Sequence, residues 1–169
     1  MKISVGIYPS GVPTDIIASA RLADEMGFST LWVLDSHLLF HEVYTLLGAL
    51  AVSTERIRLG TAVTNPLTRH PTVTASAFST LAELSGGRAT LGISVGDSAL
   101  KSMNFEVARM ATLAETVAMC RKLLRGEAVS CGEGTMAQLP RIAPPCPSMS
   151  RLQGARCSSS RAGSLMASS

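Results

Sequence analysis

The sequence predicts an α/β fold in which helices cover a parallel β-sheet. Three observations lead to this prediction. Strand and helix signals alternate four times in the first 125 residues, the strands are almost continuously apolar, and polar residues collect directly after each strand. Two architectures have these properties, a doubly wound sheet and part of a (β/α)8 barrel. In both, the chemistry lies at the carboxyl ends of the strands.

Four apolar stretches have the length and composition of buried strands, and each ends in turn-forming residues. The predicted strands cover residues 2–8, 31–34, 57–63 and 89–95. The residues that stop them are Pro9, Asp35, Asn65 and Gly96. The single tryptophan, Trp32, lies on the second of these strands and is expected in the core.

The stretches that follow the strands repeat apolar residues at helical spacing. The predicted helices cover residues 14–26, 43–52, 71–84 and 108–124. Pro71 suits the first turn of the third helix, since a proline lacks the N–H group that a first turn leaves unpaired. Gly27 and Gly126 suit the ends of the first and fourth helices, because glycine readily adopts the left-handed conformation found there.

Composition and charge limit the function classes. A chain of 169 residues with 46% hydrophobic and 16% charged residues has material for one buried core. Residues 1–133 carry 12 acidic and 11 basic side chains, so their net charge is 11 − 12 = −1, and a nearly neutral body argues against a nucleic-acid partner. No run of 18 apolar residues is present, and the N-terminus does not read as a signal peptide, so we expect a cytoplasmic protein without a membrane segment.

Two groups of residues after the second strand are candidates for chemistry. Asp35, Ser36 and His37 place a carboxylate and an imidazole together for proton transfer, or else form the N-cap of a helix with His37 merely exposed. His41 lies four residues after His37, which is the spacing of a metal-binding pair on a helix. No third ligand accompanies the pair, and the four cysteines lack a Cys-x-x-Cys pair, so no metal site is predicted.

The connections after the third and fourth strands are also unusual. The third connection contains Asn65, Arg69, His70 and two prolines, and on spacing alone it is either a site or an ordinary turn with Arg69 and His70 solvated. Residues 92–97 place glycines where a strand meets a loop, which permits close backbone approach to a planar or phosphorylated ligand. This segment matches neither a Walker sequence nor the Gly-x-Gly-x-x-Gly pattern.

Three motifs together carry a family resemblance. They are VTNPLTRHP at residues 63–71, LSGGRA at residues 84–89 and LGISVGD at residues 91–97. With these motifs the chain resembles the bacterial luciferase-like monooxygenase superfamily over residues 1 to about 135. Within it, the chain is most similar to the branch that uses the deazaflavin coenzyme F-420, as methylenetetrahydromethanopterin reductases do.

The resemblance implies a fold and a set of site residues. The family fold is a (β/α)8 TIM barrel of about twice this length, so the four strand–helix units would form its first half. A cis peptide bond is implied between Ala62 and Val63, at a bulge that supports the cofactor ring. The implied catalytic residues are Asp35 and His37, and the implied cofactor-binding residues are Ala62, Val63, Thr64, Asn65, Gly96 and Asp97. One departure is Ser36, which stands where many relatives have the histidine that follows the aspartate.

The function implied by the resemblance is that of a flavin- or deazaflavin-dependent oxidoreductase or monooxygenase. The cofactor would be coenzyme F-420 or FMN, the substrate a small organic molecule, and full-length relatives would form homo-oligomers. A hypothesis from a different class is a non-catalytic half-barrel fragment or binding scaffold.

The domain prediction separates residues 1–139, a partial barrel, from residues 140–169, a disordered tail. Residues 141–169 contain 8 Ser, 4 Arg and 3 Pro and no acidic or aromatic residue, so they lack the apolar area that ordering requires. Relatives continue here with a Met-Leu-Glu-Leu-Ala-like run, whose GC-rich codons read one base later encode Cys-Ser-Ser-Ser-Arg, the sequence at residues 157–161. We therefore expect an out-of-frame or degenerate terminus from about residue 141, missing strands five to eight, and an exposed apolar edge at the third and fourth strands.

Overall fold

A four-stranded parallel sheet, whose strands lie in chain order, is the centre of the structure. The computed structural model describes residues 2–132 and 134–140. The strands of the sheet are β1 (Ser4–Ile7), β2 (Thr30–Val33), β3 (Arg58–Thr61) and β4 (Ala89–Thr90). The helices are α1 (Pro13–Glu25), α2 (Val43–Ser53), α3 (Pro71–Leu84), α4 (Ser98–Lys101) and α5 (Met110–Leu124). An antiparallel hairpin of β5 (Val129–Ser130) and β6 (Met136–Ala137) follows α5.

All the predicted strands and helices are present, and the helix bounds agree with the prediction to within two residues. Strands β1, β3 and β4 are shorter than predicted, because the apolar sequence continues past the last ladder position, whereas β2 has the predicted length and begins one residue earlier. The regular part of β3 ends at Thr61 and that of β4 at Thr90, and a single bridge between Thr64 and Ile93 resumes the pairing further along. The short helix α4 and the β5–β6 hairpin were not predicted.

The main core lies between the sheet and helices α1, α2 and α3. Alternate strand residues supply its sheet side, namely Val5, Ile7, Leu31, Val33, Leu59 and Ala89. Since successive side chains of a strand point to opposite faces, Trp32 and Gly60 lie on the other face of the sheet. A Cβ atom on Gly60 would lie 2.4 Å from a ring carbon of Trp32, so the indole covers Gly60. Trp32 is half-buried there, which corrects its predicted place in the core.

Two charged side chains hold the chain together where the strands begin. The buried carboxylate of Asp24, at the end of α1, accepts hydrogen bonds from the backbone N–H groups of residues 55–57. Burial by itself would raise the pKa of Asp24, but these backbone hydrogen bonds lower it below its ordinary value. Just before β4, the Arg88 guanidinium donates to the carbonyl oxygens of Ala51, Thr54 and Ile57. It thereby ties the end of α2 to the start of the sheet.

The outer strands of the described sheet are β1 and β4, because β2 and β3 each pair on both sides. The expectation of an exposed edge at the third and fourth strands is therefore wrong for β3, an interior strand. Along β1, exposed residues alternate with half-buried ones, whereas both residues of β4 are buried.

The predicted tail falls outside the described residues, apart from Pro140. Its preceding neighbour, Leu139, packs against the main core and against a smaller cluster around Cys120 and Leu123. The boundary at residue 139 remains a prediction. None of the helices in the described part of the chain is long and apolar enough to cross a lipid bilayer.

Candidate functional site

The loops that follow β2, β3 and β4 enclose a cavity of about 180 Å³ at the carboxyl end of the sheet. Six of the eight predicted site residues line it, namely Asp35, Ala62, Val63, Asn65, Gly96 and Asp97. The other lining residues are Leu34, Ser36, Phe40, Ser94, Ser98 and Ala99. Because the strands are parallel and adjacent, loops distant in sequence meet at one edge, as the sequence predicted. His37 and Thr64 are not among the lining residues.

The floor of the cavity is an irregular stretch between the two paired parts of the third strand. The peptide bond between Ala62 and Val63 is cis, as the resemblance implied. Beyond it, Thr64 N donates to Gly92 O at 3.0 Å, and Ser94 N donates to Thr64 O at 2.9 Å. These bonds fix the backbone on the far side of the bulge and bury Thr64, while Val63 stays 38% exposed. Val63 thus lies at the cavity with part of its side chain exposed.

The glycines of the fourth connection make room for protein atoms. A Cβ atom on Gly92 would lie 2.2 Å from the carbonyl oxygen of Thr61 on the neighbouring strand. Gly96 has a φ of +92°, and a Cβ atom there would lie 2.5 Å from a side-chain carbon of Leu100. Protein atoms thus occupy the space beside both glycines, whereas Gly96 also lines the cavity and its part in ligand binding stays a prediction. Packing between β3, β4 and α4 requires both glycines.

Asn65 shapes the loop that follows the bulge. Its side-chain oxygen accepts hydrogen bonds from the backbone N–H groups of Leu67 at 3.0 Å and Thr68 at 2.9 Å. This is the geometry in which an asparagine side chain stands in for a backbone turn. Asn65 is almost fully buried, so its oxygen serves the loop and positions the residues that follow it.

The carboxylate of Asp35 forms an ion pair with Arg69. The distance from Arg69 Nη1 to Asp35 Oδ2 is 2.9 Å, and only 2% of the Asp35 side chain and 15% of the Arg69 side chain are exposed. Asp35 follows β2 and Arg69 precedes α3, so the pair joins two loops of the cavity. The interpretation of Asp35 or Ser36 as a helix N-cap is wrong, because the next helix, α2, begins after Glu42.

Arg69 has two further partners, and both belong to the start of α2. Its Nη2 donates to Glu42 Oε1 at 2.5 Å, and its guanidinium carbon lies 5.1 Å from the centroid of the Tyr44 ring. Burial would lower the pKa of Arg69, but the carboxylates of Asp35 and Glu42 raise it above its ordinary value. Burial raises the pKa of the Tyr44 hydroxyl. The interpretation of Arg69 as a solvated side chain of an ordinary turn, which spacing alone allowed, is therefore wrong.

The three histidines lie around the cavity rather than in it. The half-buried His37 is in a turn, so it does not share a helix face with His41. His41 Nε2 lies 2.6 Å from the carbonyl oxygen of Gly11, which ties the loop after β2 to the loop after β1. His70 is exposed and caps α3, where its Nδ1 accepts from Thr72 N. Across the described ranges, no three His, Cys, Asp or Glu side chains form a metal-binding group.

Asp97 lies at the rim, immediately before α4. Its side chain is 74% exposed, and its Oδ1 lies 2.5 Å from Nζ of Lys101 one helical turn later. The cavity lining therefore combines two carboxylates, serine hydroxyls and apolar side chains, and no Lys, Arg or His is part of it. Such a lining offers hydrogen-bond acceptors to a ligand that carries donor groups.

A family model described as luciferase-like monooxygenase matches residues 1–149. The chain belongs to the luciferase-like monooxygenase family. It is 39% identical over 132 residues to the 5,10-methylenetetrahydromethanopterin reductase of Methanolobus tindarius, a match that covers 77% of this chain and 40% of the reductase. It is 35% identical over 168 residues to the F420-dependent glucose-6-phosphate dehydrogenase of Beutenbergia cavernae, which covers 84% of this chain and 50% of the dehydrogenase.

The fold agrees with the family assignment. The solved coenzyme F420-dependent tetrahydromethanopterin reductase of Methanopyrus kandleri superposes with a TM-score of 0.69 at 29% identity, over 74% of this chain and 40% of that one. The prediction of a helix-covered parallel sheet that corresponds to part of a barrel is confirmed. The chain spans 40 to 50% of the length of these luciferase-like relatives. The predicted use of coenzyme F-420 matches what the names of two of these relatives state.

Proposed function

We propose that the cavity binds the ring of coenzyme F-420, in an oxidoreductase that acts on a small organic molecule. The observation that carries this proposal is the position of the cavity, which lies against the bulge at Ala62 and Val63 in a chain similar to F420-dependent enzymes. When bound, the deazaflavin supplies hydride transfer, and the protein supplies binding, orientation and electrostatics.

The lining fits a flat, heteroatom-edged ring. Phe40 and Val63 offer apolar surface, while Asp35, Ser94 and Asp97 offer polar atoms. Sites for whole drug-sized ligands measure about 300–1,000 Å³. A cavity of about 180 Å³ is smaller than that, so we assign to it one end of the ring system rather than the whole cofactor.

The residue roles follow from this placement. Val63 packs against the ring, Asp35 accepts a hydrogen bond from the ligand, and Asp97 closes the rim. His37 was predicted for proton transfer, but it lies outside the lining, so Asp35 is the titratable group that we place beside the ligand. Ser36 is buried and lines the cavity next to Asp35.

Fluorescence titration of the 169-residue chain with oxidised coenzyme F-420 tests the proposal, with FMN and free riboflavin titrated in parallel. We expect saturable quenching of the deazaflavin fluorescence. Val63→Trp fills the cavity and should weaken this binding at least tenfold. Val52→Trp is the matched control, because Val52 is exposed on α2 and lies outside the lining.

Three outcomes separate the hypotheses. If the chain binds FMN and not coenzyme F-420, the cofactor assigned to this cavity is a flavin rather than the deazaflavin. If Val63→Trp binds coenzyme F-420 as tightly as the unaltered chain, the ligand binds outside this cavity. Absence of binding to every probe, by a chain that circular dichroism shows to be folded, would favour the non-catalytic half-barrel and contradict the proposal.

A further inference from the structure

Arg69 connects the cavity to a helix that takes no part in it. One nitrogen of its guanidinium contacts Asp35, a lining residue, and the other contacts Glu42, which does not line the cavity. The planar fork of an arginine suits this double contact, because it donates in two fixed directions at once. The Tyr44 ring lies against the guanidinium and limits its movement further.

We propose that Arg69 is a positioning residue that holds the Asp35 carboxylate in one orientation, so that this carboxylate receives a hydrogen-bond donor of the bound ligand. The inference rests on the proposed function. The ion pair occupies Oδ2 of Asp35, which leaves Oδ1 for the N–H or O–H group of a ligand. The ligand chemistry that fits is therefore a ring edge or substrate that presents a donor, rather than an anionic group.

Removal of Arg69 would act on the cavity through Asp35. A buried carboxylate without its cation is costly, so it would turn away or take up a proton. A carboxylate that turns away no longer faces the ligand, and a protonated carboxyl group is a weaker acceptor for it. Because Arg69 itself is not a lining residue, its effect on binding requires Asp35 to be present.

A double-mutant cycle of Arg69→Met and Asp35→Asn tests this dependence, with the dissociation constant for coenzyme F-420 as the measurement. Each single variant should raise the dissociation constant at least tenfold. The dissociation constant of the double variant should exceed that of the more weakly binding single variant by no more than threefold. Arg69→Lys keeps the charge but cannot hold both carboxylates, so it should fall between the unaltered chain and Arg69→Met.

Two controls separate positioning from general stability. Arg56→Met removes an arginine from another aspartate, Asp24, at the far end of the sheet, and should change binding less than twofold. Glu42→Gln weakens the outer contact of Arg69 and the N-cap contact from Thr45 N, leaves the Asp35 contact in place, and should change binding less than threefold. Urea unfolding of each variant records how much stability is lost.

The result that overturns the inference is additivity, in which the double variant loses the product of the two single effects. Unchanged binding by Arg69→Met or Arg69→Lys would overturn it as well, and so would an equal loss in Arg56→Met. In each of these cases the unaltered chain still binds coenzyme F-420, so the proposed function stands. If the unaltered chain binds no probe, the proposed function fails, and the inference fails with it.

Discussion

Replacing Asp24 with asparagine removes the charge that binds three backbone N–H groups just before β3. The carboxylate oxygens lie 2.7 Å from the backbone nitrogens of Glu55 and Ile57. Asparagine keeps one acceptor oxygen but turns its NH2 group toward the other backbone donor. A hydrogen bond to a charged group contributes about 1.5–3 kcal/mol. Asp24→Asn loses one of the two short hydrogen bonds and makes the acceptor of the remaining one neutral. We therefore expect the free energy of unfolding to fall by about 3 kcal/mol.

The effect of Asp24→Asn depends on pH in a defined direction. The pKa of Asp24 is lowered in the folded chain, so the folded state binds a proton less readily than the unfolded state. Its stabilisation is complete above the unfolded pKa of about 3.9 and is lost as the pH falls through the lower folded value. The stability difference between the two proteins is therefore constant from about pH 7 to 5 and narrows below about pH 4.

Urea unfolding measures this difference, with Trp32 fluorescence and far-ultraviolet circular dichroism as two probes. Asp15→Asn is the matched control, because Asp15 is exposed in the first turn of α1, where a charge contributes less than about 1 kcal/mol. The reasoning is refuted if Asp24→Asn costs no more than Asp15→Asn. A stability difference that widens on acidification would refute it too.

Arg88→Met removes three charged hydrogen bonds to carbonyl groups between the end of α2 and the start of β3, and should lower the free energy of unfolding by about 4 kcal/mol or more. An unchanged urea midpoint would contradict the structural role of Arg88. Gly92→Ala should cost about 2 kcal/mol or more, because its Cβ would lie 2.2 Å from the backbone oxygen of Thr61. Gly48→Ala, whose Cβ meets its nearest atom at 3.9 Å within α2, should instead stabilise the chain by up to about 1 kcal/mol. Thermal unfolding compares the two alanine variants, and equal midpoints would refute the steric argument.

The sequence predicts the four strand–helix units because each has a periodic apolar pattern and a glycine, proline or asparagine at its end. The lengths of β1, β3 and β4 were overestimated, and in β3 the reason is that apolar composition continues through residues 62–63, where the ladder is interrupted. The helix α4 has four residues and the β5–β6 hairpin has two per strand. Segments that short have no measurable period, so no pattern of residues indicated them.

The sequence indicated where the cavity lies in the fold, but it did not indicate which side chains contact one another there. Residues that follow parallel strands meet at one edge, which is why the strand ends indicated Asp35 and Asp97, whereas Val63 was implied by the family resemblance. The partner of Asp35 was missed, because Arg69 lies 34 positions away and its contacts depend on how three loops pack. The one hint in the sequence was the motif at residues 63–71, which contains a single arginine, Arg69, just before the start of a helix. Spacing alone allowed that arginine to be solvated.

The order of the strands, which is the same as their order along the chain, has a consequence for how the protein is made. Each new strand pairs with the one synthesised immediately before it, and no later segment must insert between two earlier strands. A growing chain on the ribosome can therefore assemble the sheet from one side as each strand–helix unit emerges. At each stage, the most recently synthesised strand exposes its backbone along one edge of the sheet, and the next strand pairs there.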